Sequence, residues 1–347
     1  MRTVAGATAG LYAAAPEWLS AQALPSRRQV SVGGRRITVV DVHSHCTVAD
    51  VQPVVKGTPY ERQAAGRPLG PDRIALIDKQ GIDIQALTIN GFWWYEVKDR
   101  TLADQIVRAQ NEGLASWVRA HPDRFVALAS SSLQFPELAA QQLEDGVKRL
   151  GLRGAAIGGH VNGEDLSLPK YDPFWAKAEE LGAFVFMHPG GADNIIKPGA
   201  FDGRGDVGNI VGNPLETSYF ITRLIFDGTF DKFPRLKVGA AHGGGYVPSY
   251  MARTDVACDV RANAKCANTR RPRDIMRSQL IVDTMVLTDE GLRHLVAEMG
   301  VGQIVYGTDN PLNWPVTIDL VLNATFLNDA QKEAMLGGTA RALLKMS

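Results

Sequence analysis

The stretch Ile37-Thr-Val-Val-Asp-Val-His-Ser-His45 decides the fold prediction, because an apolar run ends there on two histidines. Alternate residues of a strand point to the same side, so the imidazoles of His43 and His45 would lie about 7 Å apart along one face. A buried strand that ends on such a pair offers two nitrogen ligands to one metal ion. A His-x-His pair also occurs by chance in polar turns, so this interpretation depends on the residues at the ends of the later apolar runs.

Seven further apolar or β-branched runs occur along the chain, and helical patterns separate them. The eight predicted strands are Ile37–Val42, Ile84–Ile89, Phe125–Ala129, Gly154–Ile157, Phe184–Met187, Leu236–Ala241, Leu280–Val282 and Gln303–Tyr306. The clearest predicted helices are Thr101–Ala120, Glu137–Leu150, Asp172–Leu181, Glu216–Phe230, Asp289–Met299 and Asp329–Met346. Continuous apolar strands that alternate with helices are typical of parallel βαβ units, and eight such units predict an α/β fold of the (β/α)8 TIM barrel type. The alternative, an open doubly wound sheet, requires a glycine-rich phosphate loop where this chain has His-Ser-His.

The chain is predicted to have two parts. Residues 1–29 form an N-terminal extension, and residues 30–347 form the barrel domain. This domain begins with a hairpin that turns at Gly33-Gly34 and leads into the first barrel strand. Ser20-Ala-Gln-Ala23 is similar to a small-residue cleavage site, so the extension is either the remnant of an export signal, or a flexible extension or an arm that docks in an oligomer. The predicted location is cytoplasmic, with export to the periplasm as the alternative.

Composition excludes several classes of function. The 347 residues are 45% hydrophobic, which is enough for one large core, and the chain carries 37 basic and 37 acidic side chains. This balance gives no basic surface for nucleic acid or anionic membrane, and no apolar run reaches the ~20 residues of a membrane span. Cysteine occurs three times, as Cys46, Cys258 and Cys266, which argues against a disulfide framework and against a cysteine-based zinc site. Cys46 is expected to pack as a small buried residue.

Metal-binding residue types stand directly after four of the predicted strands. They are His43 and His45 after strand one, His188 after strand five, His242 after strand six and Asp309 after strand eight. In a barrel these strand ends meet at one mouth. Imidazole with one carboxylate suits a single Zn²⁺ ion, and Mn²⁺ or iron(II) fits the same ligand types. We therefore predict His43, His45, His188 and Asp309 as ligands, with His242 and Asp309 as the acid–base groups.

A second metal ion would need a bridging carboxylate or a modified lysine near strand four, and Gly154–Gly159 offers neither. His160, just past that strand, is predicted to be a pocket residue. Phe92 and Trp93 come after strand two and Trp314 comes after strand eight. Aromatic side chains of this kind often only pack the rim, but here they would flank the metal, so a planar aromatic or polyunsaturated acid suits the cavity.

Several motifs carry a resemblance to a known family. They are Asp41-Val-His-Ser-His45, Gly159-His-Val-Asn162, Phe186-Met-His-Pro189, Phe226-Asp-Gly-Thr-Phe-Asp-Lys-Phe-Pro-Arg-Leu-Lys237, Ala241-His-Gly-Gly-Gly245 and Tyr306-Gly-Thr-Asp-Asn-Pro311. From Ile37 to the C-terminus the chain resembles the metal-dependent amidohydrolase superfamily, in particular its branch containing aminocarboxymuconate semialdehyde decarboxylase and the resorcylate-type decarboxylases. The resemblance implies the same ligand set, with His242 as the catalytic histidine. It also implies that Arg253 binds substrate carboxylate in a neighbouring subunit's site, and hence a homodimer or larger assembly; a surface charge is the alternative.

The chain departs from this branch at the substrate pocket. The branch often has tryptophan directly after the His-Pro of strand five, where this chain has Gly190-Gly191. The branch has a second arginine that binds carboxylate, for which Arg62 and Arg67 are both candidates. The identity of the substrate therefore stays open.

Three functional hypotheses compete. The preferred one is a carboxy-lyase that removes carbon dioxide, without oxidation, from an aromatic or dienoic carboxylic acid, since a cation stabilises the charge that develops on the conjugated carbon. The second is a hydrolase of C–N, C–O or C–C bonds that uses water activated at the same ion, such as a ring-cleavage product or lactone hydrolase. The third is a metal-binding or scaffold protein without catalytic activity. In the first two the partner is a small molecule, a carboxylic acid in the preferred case.

Overall fold

The computed structural model describes residues 27–61, 68–192 and 195–346. Most of the predicted extension, together with Arg62 and Arg67, lies outside the described residues. The strands are β1 Ser31–Val32, β2 Arg35–Arg36, β3 Val40–Asp41, β4 Ile84–Leu87, β5 Phe125–Ala127, β6 Gly154–Ile157, β7 His160–Val161, β8 Glu164–Asp165, β9 Phe184–Met187, β10 Lys237–Ala240, β11 Leu280–Asp283 and β12 Ile304–Val305. The α-helices are α1 Gln52–Val55, α2 Pro71–Gln80, α3 Arg100–Ala120, α4 Pro136–Lys148, α5 Asp172–Leu181, α6 Asn213–Phe226, α7 Thr229–Lys232, α8 Met251–Val260, α9 Pro272–Met276, α10 Asp289–Met299, α11 Ile318–Asn323, α12 Asp329–Glu333 and α13 Thr339–Leu343.

The fold is α/β with parallel strands at the eight predicted places. Five strands pair in the order β12-β11-β10-β9-β6, and three pair in the order β3-β4-β5. Backbone contacts also join the two sheets, through the parallel bridges Ala129–Ala155 and Ser44–Asn310. The predicted leading hairpin is confirmed, because β1 and β2 pair antiparallel on either side of Gly33-Gly34.

The strands separate two apolar clusters. The larger one packs the outer side chains of the strands against the helices. The smaller one lies among the strands and contains Phe184, Phe186 and Val40, all at most 1% exposed. Gly239 faces this cluster, and a Cβ there would clash with the ring of Phe184. The strand ends are thus held on a core packed on both faces, which fixes the positions of the side chains just beyond them.

The bounds of several elements differ from the prediction. The predicted strand Ile37–Val42 is regular only over Val40–Asp41. The predicted helix Glu216–Phe230 is two helices, α6 and α7, because the chain turns at Gly228 with a left-handed φ of 79°. The predicted helix Asp329–Met346 contains a π-helical turn at Ala334–Gly338 and ends at Leu343. Helices α1, α2, α8, α9 and α11 were not predicted.

The prediction that the cysteines form no disulfide framework is wrong for one pair. Cys258 and Cys266 form a disulfide with their Cα atoms 6.1 Å apart, and it links α8 to the segment after it. Cys46 is free and buried, as predicted. Among the described residues, no helix is both long enough and apolar enough to span a membrane.

Candidate metal centre and active site

The four predicted ligands lie together at the carboxyl ends of the strands. One ligand atom from each of His43, His45, His188 and Asp309 lies within 4.8 Å of the other three. Asp309 Oδ1 is 2.7 Å from His45 Nε2, 3.0 Å from His43 Nε2 and 3.7 Å from His188 Nε2. Three imidazole nitrogens and a carboxylate oxygen therefore converge on one point, as a mononuclear metal site requires.

Hydrogen bonds on the far side of two imidazoles orient them toward this point. His43 Nδ1 donates to Asp283 Oδ2 over 2.6 Å, and His188 Nδ1 donates to the carbonyl oxygen of Pro189 over 2.8 Å. These bonds place the proton of each neutral ring on Nδ1 and leave the lone pair of Nε2 facing the centre. Carboxylate and carbonyl partners of this kind are typical of histidines that bind a metal.

The buried polar atoms at the centre fit a cation. Nε2 of His43 and Nε2 of His188 are buried, and neither forms an aligned hydrogen bond with any residue that the structure describes. Buried polar atoms without a partner are costly, and a metal ion would satisfy both. The donor set, imidazole with one carboxylate, is the one that Zn²⁺ and Mn²⁺ accept.

The electrostatics of the cluster are also those of a cation site. Burial alone would lower the pKa of His43, but the carboxylates of Asp283 and Asp309 raise it to about 10. Burial would raise the pKa of Asp309, but its contacts with His188, His242 and His43 hold it well below the usual value. The centre therefore attracts positive charge, and a metal ion would compete with a proton for His43 Nε2.

Asp283 connects the first histidine to the predicted catalytic one. In addition to the hydrogen bond from His43, the Asp283 carboxylate accepts one from the backbone N–H of His242 over 3.0 Å and one from that of Gly243 over 2.8 Å. His242 Nε2 lies 3.5 Å from Asp309 Oδ2, and the His242 side chain is 19% exposed, so it borders the centre and is accessible from outside it. His242 and Asp309 have left-handed φ angles of 56° and 58°, a strained conformation that is often found at functional residues.

Two further buried residues hold the ends of the strands in register. Asp41 accepts hydrogen bonds from the backbone N–H of His43 over 3.0 Å, from Thr308 Oγ1 over 2.6 Å and from Gln85 Nε2 over 2.7 Å. Arg73, on α2, donates to the carbonyl oxygen of His45 and to Gln85 Oε1. The His-Ser-His segment is thus tied to the second and the last parallel strands.

The predicted pocket residues occupy different places. Phe92, Trp93 and His160 line one cavity, whose wall also includes Gly190, two residues after His188. Trp314 is half-buried in the loop after the last strand, and Arg253 is exposed on α8. The roles of Trp314 and Arg253 stay predictions.

The sequence analysis missed Asp283, Asp41, Arg73 and Glu216 as site residues. Asp283 comes directly after the predicted strand Leu280–Val282, so the rule that selected His188 and His242 would also have selected it. Asp41 precedes His43 inside the apolar run, which marks a buried acid. Glu216 is 2% exposed, but no pattern distinguishes it from the surface acids of other helices.

Comparison with known proteins identifies the family. A family model described as amidohydrolase matches residues 40–346. The chain belongs to the amidohydrolase family. It is 34% identical over 283 residues to a 2-amino-3-carboxymuconate-6-semialdehyde decarboxylase of Dictyostelium discoideum, covering 79% of this chain and 76% of that protein. It is 31% identical over 294 residues to a gamma-resorcylate decarboxylase of a Rhizobium species, covering 79% of this chain and 86% of that one.

Solved structures share the fold of this amidohydrolase. The 2,6-dihydroxybenzoate decarboxylase from Rhizobium superimposes with a TM-score of 0.77 at 27% identity, covering 89% of this chain and 99% of that one. A dihydroxybenzoic acid decarboxylase from Polaromonas, with bound manganese and the inhibitor 2-nitroresorcinol, superimposes with a TM-score of 0.77 at 26% identity. The match covers 89% of this chain and 97% of that one. The 5-carboxyvanillate decarboxylase from Sphingomonas paucimobilis superimposes with a TM-score of 0.81 at 22% identity. The match covers 90% of this chain and 100% of that one, which shows a common fold.

Proposed function

We propose that this protein is a metal-dependent decarboxylase that acts, without oxidation, on an aromatic or dienoic carboxylic acid. The observation that carries the proposal is the convergence of three histidines and Asp309 within 4.8 Å, with His242 beside them. The relatives at 31–34% identity are named as decarboxylases of such acids, which supports the same reaction here. The ligands would be His43, His45, His188 and Asp309.

The reaction replaces a carboxylate by a proton. The carbon–carboxylate bond breaks, carbon dioxide leaves, the electron pair stays on the conjugated carbon, and a proton is then added to that carbon. The bound cation supplies electrostatic stabilisation of the negative charge that develops. His242 would hold the proton at Nε2, which lies 3.5 Å from Asp309 Oδ2. Asp283 fixes the backbone from which His242 projects.

We propose Zn²⁺ as the ion, because three imidazoles and one carboxylate are ligands typical of zinc. Mn²⁺ is the alternative, since it is bound in the Polaromonas decarboxylase. Metal analysis of protein purified without added metal distinguishes them: one equivalent of zinc supports the proposal, and one of manganese supports the alternative.

The decisive experiment separates a lyase from a hydrolase. Metal-loaded protein is incubated with hydroxybenzoates and carboxymuconate-type acids in H₂¹⁸O, and carbon dioxide and the organic product are analysed. Carbon dioxide in equal amount to a product that contains no ¹⁸O supports the decarboxylase. Turnover of esters, lactones or ring-cleavage products, with ¹⁸O in the product and no carbon dioxide, would replace it by the hydrolase. His242→Asn that retains its metal and full activity would exclude His242 as the acid–base group, and no turnover of any of these compounds by the metal-loaded protein would exclude both enzymes.

We further propose that the eight parallel strands close into one (β/α)8 barrel and that residues 30–347 form a single domain. The bridges Ala129–Ala155 and Ser44–Asn310, at the two places where the sheets meet, support this closure. Limited proteolysis that yields one resistant fragment beginning near residue 30 is the expected result. Two separable fragments would contradict it.

We also propose a homodimer in which Arg253 serves the neighbouring subunit's site. Arg253 is exposed on α8, close in sequence to exposed Tyr250 and Val256, so it is available for such a contact. Mixing inactive Arg253→Ala protein with inactive His242→Asn protein should restore activity, because a hybrid dimer contains one site with both residues intact. No recovery after subunit exchange is verified would argue for self-contained subunits.

The cellular location is proposed as cytoplasmic, with export as the alternative. The Cys258–Cys266 disulfide favours the alternative, because disulfides persist mainly in oxidising compartments. Fractionation of cells and thiol labelling of the extracted protein distinguish the two locations.

A further inference from the structure

Glu216 is a buried acid to which the mechanism above gives no role. Its side chain is 2% exposed and lies in the first turn of α6. Oε2 accepts the backbone N–H of Gly190 over 2.8 Å and of Gly191 over 2.6 Å, and Oε1 accepts that of Gly159 over 3.0 Å. Among the described residues no lysine or arginine pairs with Glu216, and His160 Nε2 lies 4.0 Å from Oε1. Backbone N–H groups and the N-terminal end of a helix therefore stabilise this carboxylate.

A single peptide group joins Glu216 to one of the predicted metal ligands. The carbonyl oxygen of Pro189 accepts the hydrogen bond from Nδ1 of His188 over 2.8 Å. The N–H of the same peptide group is that of Gly190, which donates to Glu216 Oε2 over 2.8 Å. The backbone N–H of His188 donates to the carbonyl oxygen of Ile157 over 3.0 Å, which holds this ligand against β6. The imidazole and the carboxylate thus bind opposite sides of one peptide group.

This arrangement affects the imidazole through polarisation. A carboxylate on the N–H side of a peptide group draws electron density toward its carbonyl oxygen, because linked hydrogen bonds strengthen one another. The Pro189 carbonyl then accepts more strongly from Nδ1–H of His188, and Nε2 becomes a better electron donor. Asp283 does the same for His43 by direct contact. Glu216 would act on His188 with one peptide group between them.

The two glycines after the His-Pro pair make this contact possible. Gly191 has a φ of 119°, which side chains other than that of glycine rarely adopt, and here two consecutive N–H groups meet the same carboxylate oxygen. A Cβ on Gly190 would lie 3.2 Å from the indole of Trp93, so a larger side chain would displace one of them. Gly190-Gly191 therefore brings the backbone close to Glu216.

We propose that Glu216 is a positioning residue that acts on the ligand His188 through the Pro189–Gly190 peptide group, orienting the imidazole and strengthening its bond to the cation. The inference rests on the proposed function only through its ligand set, and it deepens that function by adding a residue that supports the metal centre. It predicts that the effect of Glu216 on metal binding requires His188.

The test is a double-mutant cycle on the affinity for Zn²⁺, measured by competition with a chromogenic chelator. At pH 8 the carboxyl is ionised, because burial raises the pKa of Glu216 only to about 7. Glu216→Gln should increase the Kd about 10-fold, the lower end of the usual effect of losing an outer partner of a ligand histidine. In the His188→Ala protein, which binds through the remaining ligands, the same substitution should change the Kd less than about twofold.

Proton NMR of the metal-free protein gives a second readout. The Nδ1–H resonance of His188, assigned by its absence from the His188→Ala protein, should move upfield in Glu216→Gln, because its hydrogen bond to Pro189 becomes weaker. A resonance that stays in place would contradict polarisation through the peptide group.

Asp83→Asn is the matched control for a purely structural effect. Asp83 is also a buried acid that accepts a backbone N–H, that of Val39 over 2.8 Å, but it precedes β4 at the opposite end of the strands. This substitution should lower the free energy of unfolding of the metal-free protein and leave the Kd unchanged. If Glu216→Gln does not fold, Glu216→Asp takes its place in the cycle, because the shorter side chain withdraws the carboxylate and keeps its charge.

The outcomes separate the inference from the function on which it rests. An equal loss of affinity with and without His188, no loss at all, or an equal loss in Asp83→Asn would overturn the role of Glu216. No binding of Zn²⁺ by the unmutated protein would refute the ligand set instead. The expected cycle in a protein that releases no carbon dioxide from any acid would leave the role of Glu216 standing and refute the decarboxylase.

Discussion

His43 Nδ1 lies 2.6 Å from Asp283 Oδ2, and both side chains are fully buried. The same carboxylate accepts the backbone N–H groups of His242 and Gly243. One acid therefore sets the tautomer of a predicted ligand and the position of the predicted catalytic histidine. Binding of the metal and transfer of the proton thus depend on the same side chain.

Asp283→Asn should weaken metal binding about 10- to 100-fold, because a partner of this kind fixes the ring and increases its basicity. The substitution keeps the shape of the side chain, so the fold should persist. The measurement is competition for the metal with a chromogenic chelator. Glu290→Gln, at an 84% exposed side chain on the next helix along the chain, is the matched control and should bind metal normally. Unchanged affinity in Asp283→Asn would show that His43 needs no such partner.

His242→Asn should lower kcat at least about 100-fold, the usual contribution of a positioned acid–base group, while one equivalent of metal remains bound. His242 is not among the four converging ligand atoms, so the metal content should be that of the unmutated protein. Steady-state kinetics and metal analysis on the same preparation measure both quantities, with the exposed His294→Asn as control. Loss of the metal together with activity would reassign His242 as a ligand.

The candidate site could be predicted because its ligands come directly after apolar strands, and strand ends in a parallel α/β fold meet at one edge. His188 and His242 were found in this way, although more than fifty residues separate them. Asp283 obeys the same rule and was overlooked because carboxylates are common at the surface. Arg73 and Glu216 could not be predicted, since their importance comes from contacts with distant backbone groups that no local pattern records.

Strands were predicted more accurately than the helices. The strand Phe184–Met187 and the helix α5 have the predicted bounds, because a continuous apolar run or a clear amphipathic period defines each. Short helices such as α9, with five residues, are too brief to show a period. Gly228 separates α6 from α7 because a left-handed φ ends a helix, and the apolar pattern on both sides concealed that break.

Removal of the metal should destabilise the protein as well as inactivate it. At a free metal concentration 100 times the Kd, binding contributes about 3 kcal/mol to the free energy of unfolding, which corresponds to roughly 5 °C in Tm for a chain of this size. Differential scanning fluorimetry before and after dialysis against a chelator measures the shift. Zn²⁺ or Mn²⁺ should restore it, whereas Mg²⁺, which prefers oxygen ligands, should not. An unchanged Tm with activity intact would exclude a bound metal.

The stability of the protein should depend on pH through Glu216. Burial raises the pKa of this carboxyl to about 7, although the N–H groups of Gly191, Gly190 and Gly159 oppose the shift. The folded protein therefore keeps a proton that the unfolded chain loses above its ordinary pKa of 4.5. The free energy of unfolding should thus decrease as the pH rises from about 4.5 to about 7, by on the order of 3 kcal/mol from this group.

Glu216→Gln removes this titration. Relative to the unmutated protein, the variant should gain about 3 kcal/mol in free energy of unfolding between pH 4.5 and pH 8, measured by urea denaturation at each pH. The comparison cancels contributions from other groups, including His160, whose pKa burial lowers. Asp202→Asn, at an exposed acid, should show no such gain. A constant difference between variant and unmutated protein across this range would mean that Glu216 is ionised throughout, held by its three N–H donors.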